Sequence, residues 1–253
     1  MNSPGNTPDR SGMDTSQLEQ ALATRLSAHG IAVPPVLPDT MREVTRGMPA
    51  WWRDNGNALY MPEGHAPSAV PFSIHDSGKP PRGALVVALT DALPILQLWG
   101  LDSMVFIGAQ SSLPHAHLAC GDATVYLGGA VRSIHRVSVH ARNGGLVFMA
   151  ADCLIASGVQ VMTDDMHTLI DVASNRRINT YGGRIIVREH VWIGLEALVM
   201  GGADIGADCV VGARSLVKRA FPAGCLIAGV PARIVRRGVT WDERDIPPVF
   251  FTP

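Results

Sequence analysis

Aliphatic residues recur every six positions through the C-terminal half of the chain. The series runs without a break through Val187, Ile193, Val199, Ile205, Val211 and Val217. Small or β-branched residues stand four positions after the first five members, at Val191, Ala197, Ala203, Cys209 and Ser215. A helix needs a period near 3.6 and an isolated strand a period of 2, so neither explains this spacing. The pattern predicts a parallel β-helix, in which each hexapeptide forms one face of a triangular coil and aliphatic side chains point inward.

The same phase continues towards the N-terminus, where its members are Val161, Ile155, Met149, Val137, Val131, Val125, Leu113 and Ile107. Asn143 and Ala119 are poor members, and Leu127 and Leu146 indicate local shifts of phase. The coil is therefore expected to begin near residue 100. Val161 and Val187 are 26 positions apart, which is one repeat of six plus an excursion of 20 residues. We predict a β-helix domain over residues 101–253, with a loop protruding at about 163–186.

Residues 1–100 form an N-terminal extension without this rhythm. Residues 1–14 are rich in Ser, Pro, Gly and Asp and are predicted to be disordered. An amphipathic helix is expected from Thr15, with Gly30 as its stop and with apolar residues at helical spacing at Leu18, Ala21, Leu22 and Leu26. Residues 31–80 mix Pro, Gly and aromatic residues without a clear period, which indicates loops and short strands.

The C-terminal segment contains a capping-box pattern. Thr240 stands three residues before Glu243, an arrangement that favours a helix N-terminus. We predict a short C-terminal helix that covers the open end of the coil.

Composition limits the possible partners. With 47% hydrophobic residues the chain can bury a large core, and its formal net charge of −1 gives no support for a general nucleic-acid or membrane-surface role. The four cysteines form no C-x-x-C pair and are predicted to be reduced, buried thiols. The N-terminus lacks the apolar region of a signal peptide, and no apolar run approaches the roughly 18 residues of a membrane span. A soluble cytoplasmic protein without a membrane span is expected.

The segments VWIG, VVGARSLV and AGVPARIVRR, together with the pairing of DMH in the excursion and RIN further on, carry a family resemblance. They resemble the hexapeptide-repeat acyltransferases, and most closely the sugar and polysaccharide O-acetyltransferases, over about residues 105–241. The resemblance implies a left-handed parallel β-helix, a homotrimer, and acetyl-CoA bound in a groove between neighbouring subunits. The six-residue period does not select a hand, and the general rule for parallel crossovers is right-handed.

The excursion opens with TDDMHTLID, from Thr163 to Asp171. Transfer of an acetyl group to a hydroxyl needs a base, and the resemblance gives this role to His167. Asp165 matches the aspartate of the family's S-D-x-H motif and can fix the imidazole tautomer. Asp164 replaces the serine of that motif, so either carboxylate can orient His167. Asp171 is expected to be a turn or cap residue.

Three further positions are candidates for acceptor binding. The resemblance places Trp192 in the acceptor or thioester pocket, while packing against the returning loop is its alternative role. Arg177 and Asn179 can hydrogen-bond a hydroxylated acceptor, or they can stabilise the loop instead.

The resemblance places coenzyme A along the last coils. Gly212 and Ala213 keep the coil edge clear for the pantetheine arm. Four cations are expected to bind the phosphates, with solvated surface charge as the alternative: Lys218, Arg219, Arg233 and Arg236.

The resulting prediction is an acetyl-CoA-dependent O-acetyltransferase without a metal, which acts on a hydroxyl of a bacterial surface saccharide, an exopolysaccharide or their precursor. Direct transfer would occur in a ternary complex. One alternative is a zinc enzyme resembling γ-type carbonic anhydrases, because His135 and His140 are five apart and His117 lies 18 residues before His135. The others are an N-acetyltransferase of an amino sugar and a repeat scaffold without catalysis.

Overall fold

The chain folds as a left-handed parallel β-helix with three faces, each built from one sheet. The computed structural model describes residues 7–32, 36–67, 72–74 and 78–247. We number the strands in chain order and call the three sheets A, B and C.

Sheet A contains, in spatial order, β1 (Met41–Glu43), β2 (Ala58–Pro62), β4 (Leu85–Ala88), β6 (Met104–Ile107), β8 (Thr124–Leu127), β11 (Leu146–Met149), β16 (Arg184–Val187), β19 (Asp204–Ile205) and β22 (Ala220–Phe221). Sheet B contains β3 (Phe72–Ile74), β5 (Ile95–Trp99), β7 (His117–Gly121), β10 (Ser138–Arg142), β13 (Gln160–Met162), β18 (Leu198–Met200) and β21 (Leu216–Val217). Sheet C contains β9 (Arg132–Ser133), β12 (Leu154–Ile155), β17 (Trp192–Ile193), β20 (Val210–Val211), β23 (Cys225–Gly229) and β24 (Ala232–Arg237). Within these sheets, among the described residues, only the pairs β1–β2 and β23–β24 are antiparallel.

The six-residue rhythm forms the interior of the coil. All six members of the series from Val187 to Val217 have no exposed surface, and the small residues that follow them are at most 1% exposed. Val199 lies opposite Val217 in register, so one coil takes 18 residues where the rhythm is unbroken. Both features confirm the prediction of hexapeptide coils with inward-pointing aliphatic residues.

Earlier coils are longer, which explains the shifts of phase. Val139 lies opposite Val161, 22 residues later in the chain. The extra residues lie in the corners: Asn143 and Gly144 form a turn with φ of 58° and 75°. Asn143 is a poor member of the series because it belongs to this turn and not to a strand.

Parallel pairing begins well before residue 101. Ala58 lies opposite Leu85 and Phe72 opposite Leu96, both in parallel register. The predicted start of the coil near residue 100 was therefore wrong. The early strands of sheet A hid the rhythm because their outer as well as their inner side chains are buried; all four residues of β4 are buried.

A helix covers the outer face of sheet A. Helix α1 (Thr15–Ser27) has a capping box between Asp14 and Gln17, and it buries Leu18, Leu22 and Leu26. These leucines belong to a second apolar cluster with the outward aromatic residues of the sheet, Tyr60, Phe106, Tyr126 and Phe148. The predicted amphipathic helix is confirmed, and a short helix α2 (Ala50–Asp54) adds to the expected loops and strands.

Part of the segment predicted to be disordered is packed on the coil. Residues 1–6 lie outside the described residues. Further on, the Tyr60 hydroxyl donates to the Arg10 carbonyl at 2.7 Å and accepts from the Met13 amide at 2.7 Å, and the Arg10 amide donates to Gly56 at 3.1 Å. The prediction of disorder is therefore wrong for residues 7–14, because the buried edge of sheet A satisfies their backbone groups.

The closing helix expected after Thr240 does not form in residues 238–247. The Thr240 hydroxyl donates to Asp208 at 3.1 Å instead of capping a helix, and Trp241 stacks on His190 with ring centroids 4.5 Å apart. The tail therefore lies against sheet C, and residues 248–253 lie outside the described residues. Neither helix of the described chain has the length and apolarity to cross a membrane. All four cysteines are buried free thiols, as predicted.

Candidate active site

The excursion is a β-hairpin that leaves the coil at the corner between sheets B and A. It begins after Met162 and ends at Arg184, and its strands β14 (Ile170–Asp171) and β15 (Arg176–Arg177) pair antiparallel. The Asp171 carboxylate accepts from the amide and the hydroxyl of Ser174 at 2.7 and 2.5 Å. Asp171 is therefore the turn residue that its position predicts.

Asp164 anchors the base of this excursion. Its side chain is 2% exposed and accepts hydrogen bonds from Asn143 Nδ2 at 2.6 Å and from the Gly183 amide at 3.1 Å. The adjacent Thr163 is fully buried, and its hydroxyl accepts from the Arg142 amide at 3.1 Å. These bonds tie both ends of the excursion to the turn that follows β10. Asp164 is thus fully engaged away from His167.

His167 is exposed and follows the anchored start of the excursion. Its amide donates to the Asp165 carbonyl at 2.8 Å, and its carbonyl accepts from Asn179 Nδ2 at 2.7 Å. Asn179 Nδ2 also donates to Asp165 Oδ2 at 3.1 Å, and Asn179 Oδ1 accepts from the Leu169 amide at 3.0 Å. Asn179 therefore brings Asp165 and His167 together. Neither ring nitrogen of His167 has a hydrogen-bond partner within the described chain.

Arg177 holds the returning strand of the excursion. Its guanidinium donates to the Thr168 hydroxyl at 2.9 Å and to the Thr180 carbonyl at 2.9 Å, and it lies 4.9 Å from the centroid of the Tyr181 ring. Arg177 and Asn179 thus make the loop-stabilising contacts that were the second of their two expected roles.

Trp192 lies on sheet C, whereas the excursion joins sheets B and A. Its side chain is 39% exposed, and its ring centroid is 6.3 Å from that of Trp241 at an interplanar angle of 49°. Its neighbour is therefore the C-terminal tail and not the returning loop. Within one chain, the excursion and Trp192 occupy different faces of the coil.

The five positions expected to bind coenzyme A lie on the last coils and are exposed: Ala213, Lys218, Arg219, Arg233 and Arg236. The Arg219 guanidinium lies 5.1 Å from the centroid of the Phe221 ring, and Arg233 donates to the Ala232 carbonyl at 3.1 Å. In the described part of the chain none of the four cations forms an ion pair. A Cβ at Gly212 would lie 3.0 Å from that of Ala228, so this glycine also permits close packing of successive coils.

Two residues at the site escaped the sequence prediction. Asn143 binds Asp164, and Arg142 contacts the sulfur of Met166 with its Nη1 at 3.2 Å. The sequence feature that could have identified both residues is the break in the six-residue rhythm at position 143. This break marks a corner that is long enough to reach the excursion.

Known acetyltransferases match part of this sequence. Over 99 residues the chain is 35% identical to the polysialic acid O-acetyltransferase of Escherichia coli O1:K1 / APEC, a match that covers 39% of this chain and 32% of that protein. Over 107 residues it is 34% identical to the putative lipopolysaccharide biosynthesis O-acetyl transferase WbbJ of Escherichia coli (strain K12), covering 39% of this chain and 54% of the relative. This chain thus spans between about a third and about half of the length of these curated relatives.

A solved structure supports the same fold. The polysialic acid O-acetyltransferase OatWY superposes with a TM-score of 0.60 at 21% sequence identity, over 70% of this chain and 90% of that chain. No family model matches the sequence. The sequence thus resembles named acetyltransferases over part of its length and shares its fold with a solved acetyltransferase.

The three histidines considered for zinc fall into two separate ring pairs, one of which includes His115. The rings of His115 and His135 are 4.8 Å apart between centroids, and those of His117 and His140 are 5.7 Å apart. No group of three metal-ligating side chains converges among the described residues. His135 therefore does not join His117 and His140 within one chain.

Proposed function

We propose that this chain is a hexapeptide-repeat acyltransferase that transfers the acetyl group of acetyl-CoA to a hydroxyl of a bacterial surface saccharide, an exopolysaccharide or their precursor. The observation that carries the proposal is the exposed His167 imidazole, which has both ring nitrogens free within the described chain and sits on an excursion anchored at its base. The printed names of the two sequence relatives, one acting on polysialic acid and one on lipopolysaccharide biosynthesis, support the acceptor class.

His167 acts as the general base of a direct transfer. The imidazole accepts the hydroxyl proton as the oxygen attacks the thioester carbonyl. Backbone N–H groups stabilise the oxyanion of the tetrahedral intermediate. Its collapse breaks the carbon–sulfur bond, and the imidazolium returns the proton to the leaving thiolate. No covalent enzyme intermediate is needed.

Asp165 is the carboxylate that we assign to His167. Asp164 is buried and each of its carboxylate oxygens accepts a hydrogen bond, from Asn143 or from Gly183, which leaves Asp165 as the exposed carboxylate of the pair. Asp165 is exposed and already shares the Asn179 amide with the His167 carbonyl. Its charge stabilises the imidazolium that forms during transfer.

Acetyl-CoA binds along the last coils in this proposal. Lys218, Arg219, Arg233 and Arg236 bind its phosphates, and the edge near Ala213 receives the pantetheine arm. The protein is a cytoplasmic homotrimer, and Trp192 reaches the excursion from a neighbouring subunit. The resemblance to the family implies this arrangement, which accounts for the position of the excursion and Trp192 on different faces of one chain.

A screen of acetyl acceptors tests the proposed function. The purified protein is incubated with acetyl-CoA and a panel of saccharides, beginning with a sialic acid oligomer and including amino sugars, and release of the CoA thiol is measured. Saccharide-dependent thiol release with an ester product supports the proposal. An amide product formed only with amino sugars would establish N-acetylation instead. Hydrolysis that no saccharide accelerates would contradict both.

A further inference from the structure

The outer face of sheet B has an unusual charge distribution. Leu118, Val139 and Val161 point into the core, so the alternate positions of their strands face outward. In β5, β7, β10, β13, β18 and β21 the outward residues are the first of each strand and every second residue after it. None of these is acidic, while three are basic or can become so: His117, His140 and Arg142. We call these three side chains the basic cluster.

The basic cluster is not neutralised by the protein. Burial lowers the pKa of His140, and the nearby His117 and Arg142 lower it further. Burial also lowers the pKa of His117, and the two rings are 5.7 Å apart between centroids. Arg142 forms no ion pair within the described residues, and its buried Nε has no hydrogen-bond partner there. Arg142 is therefore a fixed positive charge that no carboxylate of the described residues offsets, and it lies beside two imidazoles whose charged forms a bound anion would favour.

The basic cluster lies next to the segment that carries His167, the candidate general base. Arg142 Nη1 contacts the sulfur of Met166, the residue before His167, at 3.2 Å. The Thr163 amide, where the excursion begins, donates to the His140 carbonyl at 3.0 Å. Strand β10 therefore carries His140 and Arg142 of the cluster and also holds the start of the excursion. A molecule bound to Arg142 would lie within reach of His167.

An aromatic side chain lies beside the cluster. Trp99, Gly121 and Arg142 lie opposite one another on three neighbouring strands. A Cβ at Gly121 would lie 1.8 Å from Cε2 of Trp99, so the indole lies directly over this glycine. Strand spacing places the backbones of Trp99 and Arg142 about 9.5 Å apart. The indole therefore lies between these two strands and offers an apolar surface beside Arg142, while the small residue Ala119 lies opposite His140.

We infer that the basic cluster binds a carboxylate of an acidic saccharide acceptor and thereby selects anionic over neutral acceptors. The inference rests on the proposed function and deepens it. A planar guanidinium binds a carboxylate through two parallel hydrogen bonds, and the two imidazoles add donors beside it. Met166 then links the bound acceptor to His167, so the anchored carboxylate positions a hydroxyl of the same saccharide near the base.

Direct binding without acetyl-CoA tests the inference. The probes are the sialic acid oligomer and the same oligomer with its carboxyl groups reduced, each titrated calorimetrically into the full-length protein. We expect the native protein to bind the acidic oligomer about tenfold or more tightly than the reduced one, because reduction removes the charged acceptor of the guanidinium hydrogen bonds. Arg142→Gln should remove most of this difference, and Arg142→Lys should keep part of it.

Arg42→Gln is the matched control, because Arg42 is an exposed arginine on β1 whose only carboxylate partner in the described chain is Glu63 at 3.8 Å. It should bind both oligomers as the native protein does. Equal binding of the two oligomers by the native protein would overturn the inference, and so would unchanged selectivity in a folded Arg142→Gln protein. A loss confined to acetyl-CoA binding in Arg142→Gln would also overturn it, by assigning the cluster to phosphates. Because binding needs no turnover, failure of the acceptor screen remains distinguishable from failure here.

Discussion

At the scale of residues, two adjacent carboxylates in the excursion have opposite environments. Asp164 is buried between Asn143 and the Gly183 amide, while Asp165 is exposed beside Asn179. The sequence places both near His167 but cannot separate them, because the distinction depends on a turn whose Asn143 lies 21 residues before Asp164. Asn143 belongs to that turn, and its side chain meets Asp164 only when successive coils stack.

Replacing Asp164 should destabilise the protein. In Asp164→Ala, the Asn143 amide and the Gly183 N–H lose their buried acceptor, which costs about 1–3 kcal/mol. Urea denaturation of the purified variant measures the free energy of unfolding. Asp171→Ala is the control, since its exposed carboxylate bonds only within its own turn. Equal stability of the two variants would contradict the assignment of Asp164 as the anchor.

Replacing the exposed cations of the last coils should weaken binding of coenzyme A without affecting the fold. Lys218→Gln and Arg233→Gln remove charges that have no ion-pair partner in the described chain. Dissociation constants for coenzyme A should rise more than those for its 3′-dephosphorylated analogue, because only the former carries the extra phosphate. Equal losses for the two ligands would make these residues ordinary surface charge.

At the scale of elements, the strands from Val187 onwards were predictable because only their inner side chains are buried. Their outer side chains face solvent, so the aliphatic rhythm stands out in the sequence. Strands β2, β4 and β6 lie under helix α1 and are apolar on both sides, which removes the rhythm. The tail after β24 was not predictable, because its contacts are with His190 and Asp208, far away in sequence.

The tail is attached through His190. Its Nδ1 lies 2.7 Å from Asp152 Oδ2 and its Nε2 lies 3.0 Å from the Trp241 carbonyl. Both partners are acceptors, so the bonds are complete only in the imidazolium. The bond to Asp152 raises the pKa of His190 against the effect of partial burial, with further support from the Trp241 carbonyl. Three further charged residues surround His190. Arg132 pairs with Asp152 and with Glu243, and the carboxylates of Asp208 and Asp242 also interact with the imidazole.

Raising the pH should therefore loosen the tail. A raised pKa in the folded state gives a stabilisation that is fully present below the ordinary value of about 6.5 and is lost as pH rises through the raised value. The exchange protection of the Trp241 indole N–H, which donates to the His190 carbonyl at 2.8 Å, reports the attachment by NMR. Protection, corrected for the intrinsic rate, should fall as pH rises through that value. His190→Gln should show no such step, and a step of equal size in this variant would contradict the account.

At the scale of the whole molecule, one core runs along the coil and joins all three sheets, with a second cluster under helix α1. Hexapeptide periodicity predicted the first, and the spacing of three leucines indicated the second. The periodicity of one chain does not show how subunits are arranged in an oligomer. His167 and Trp192 occupy different faces, so the proposed site is complete only when another subunit supplies the second residue.

The protein should form trimers in solution. Light scattering coupled to size-exclusion chromatography is expected to give three times the mass of the chain at micromolar concentration. A monomer that retains full acetyl transfer would contradict the proposed shared site, because Trp192 could then not reach the excursion of its own chain.

The most direct test of the central claim is the turnover number of His167→Ala with acetyl-CoA and the preferred saccharide from the screen. Loss of a general base should lower kcat by about 10²- to 10⁴-fold. Affinity for coenzyme A and the free energy of unfolding should stay close to those of the native protein, because the His167 side chain has no partner within the described chain. His135→Ala, which alters an exposed histidine of the other pair, should retain full turnover. Unchanged kcat in His167→Ala would contradict the account.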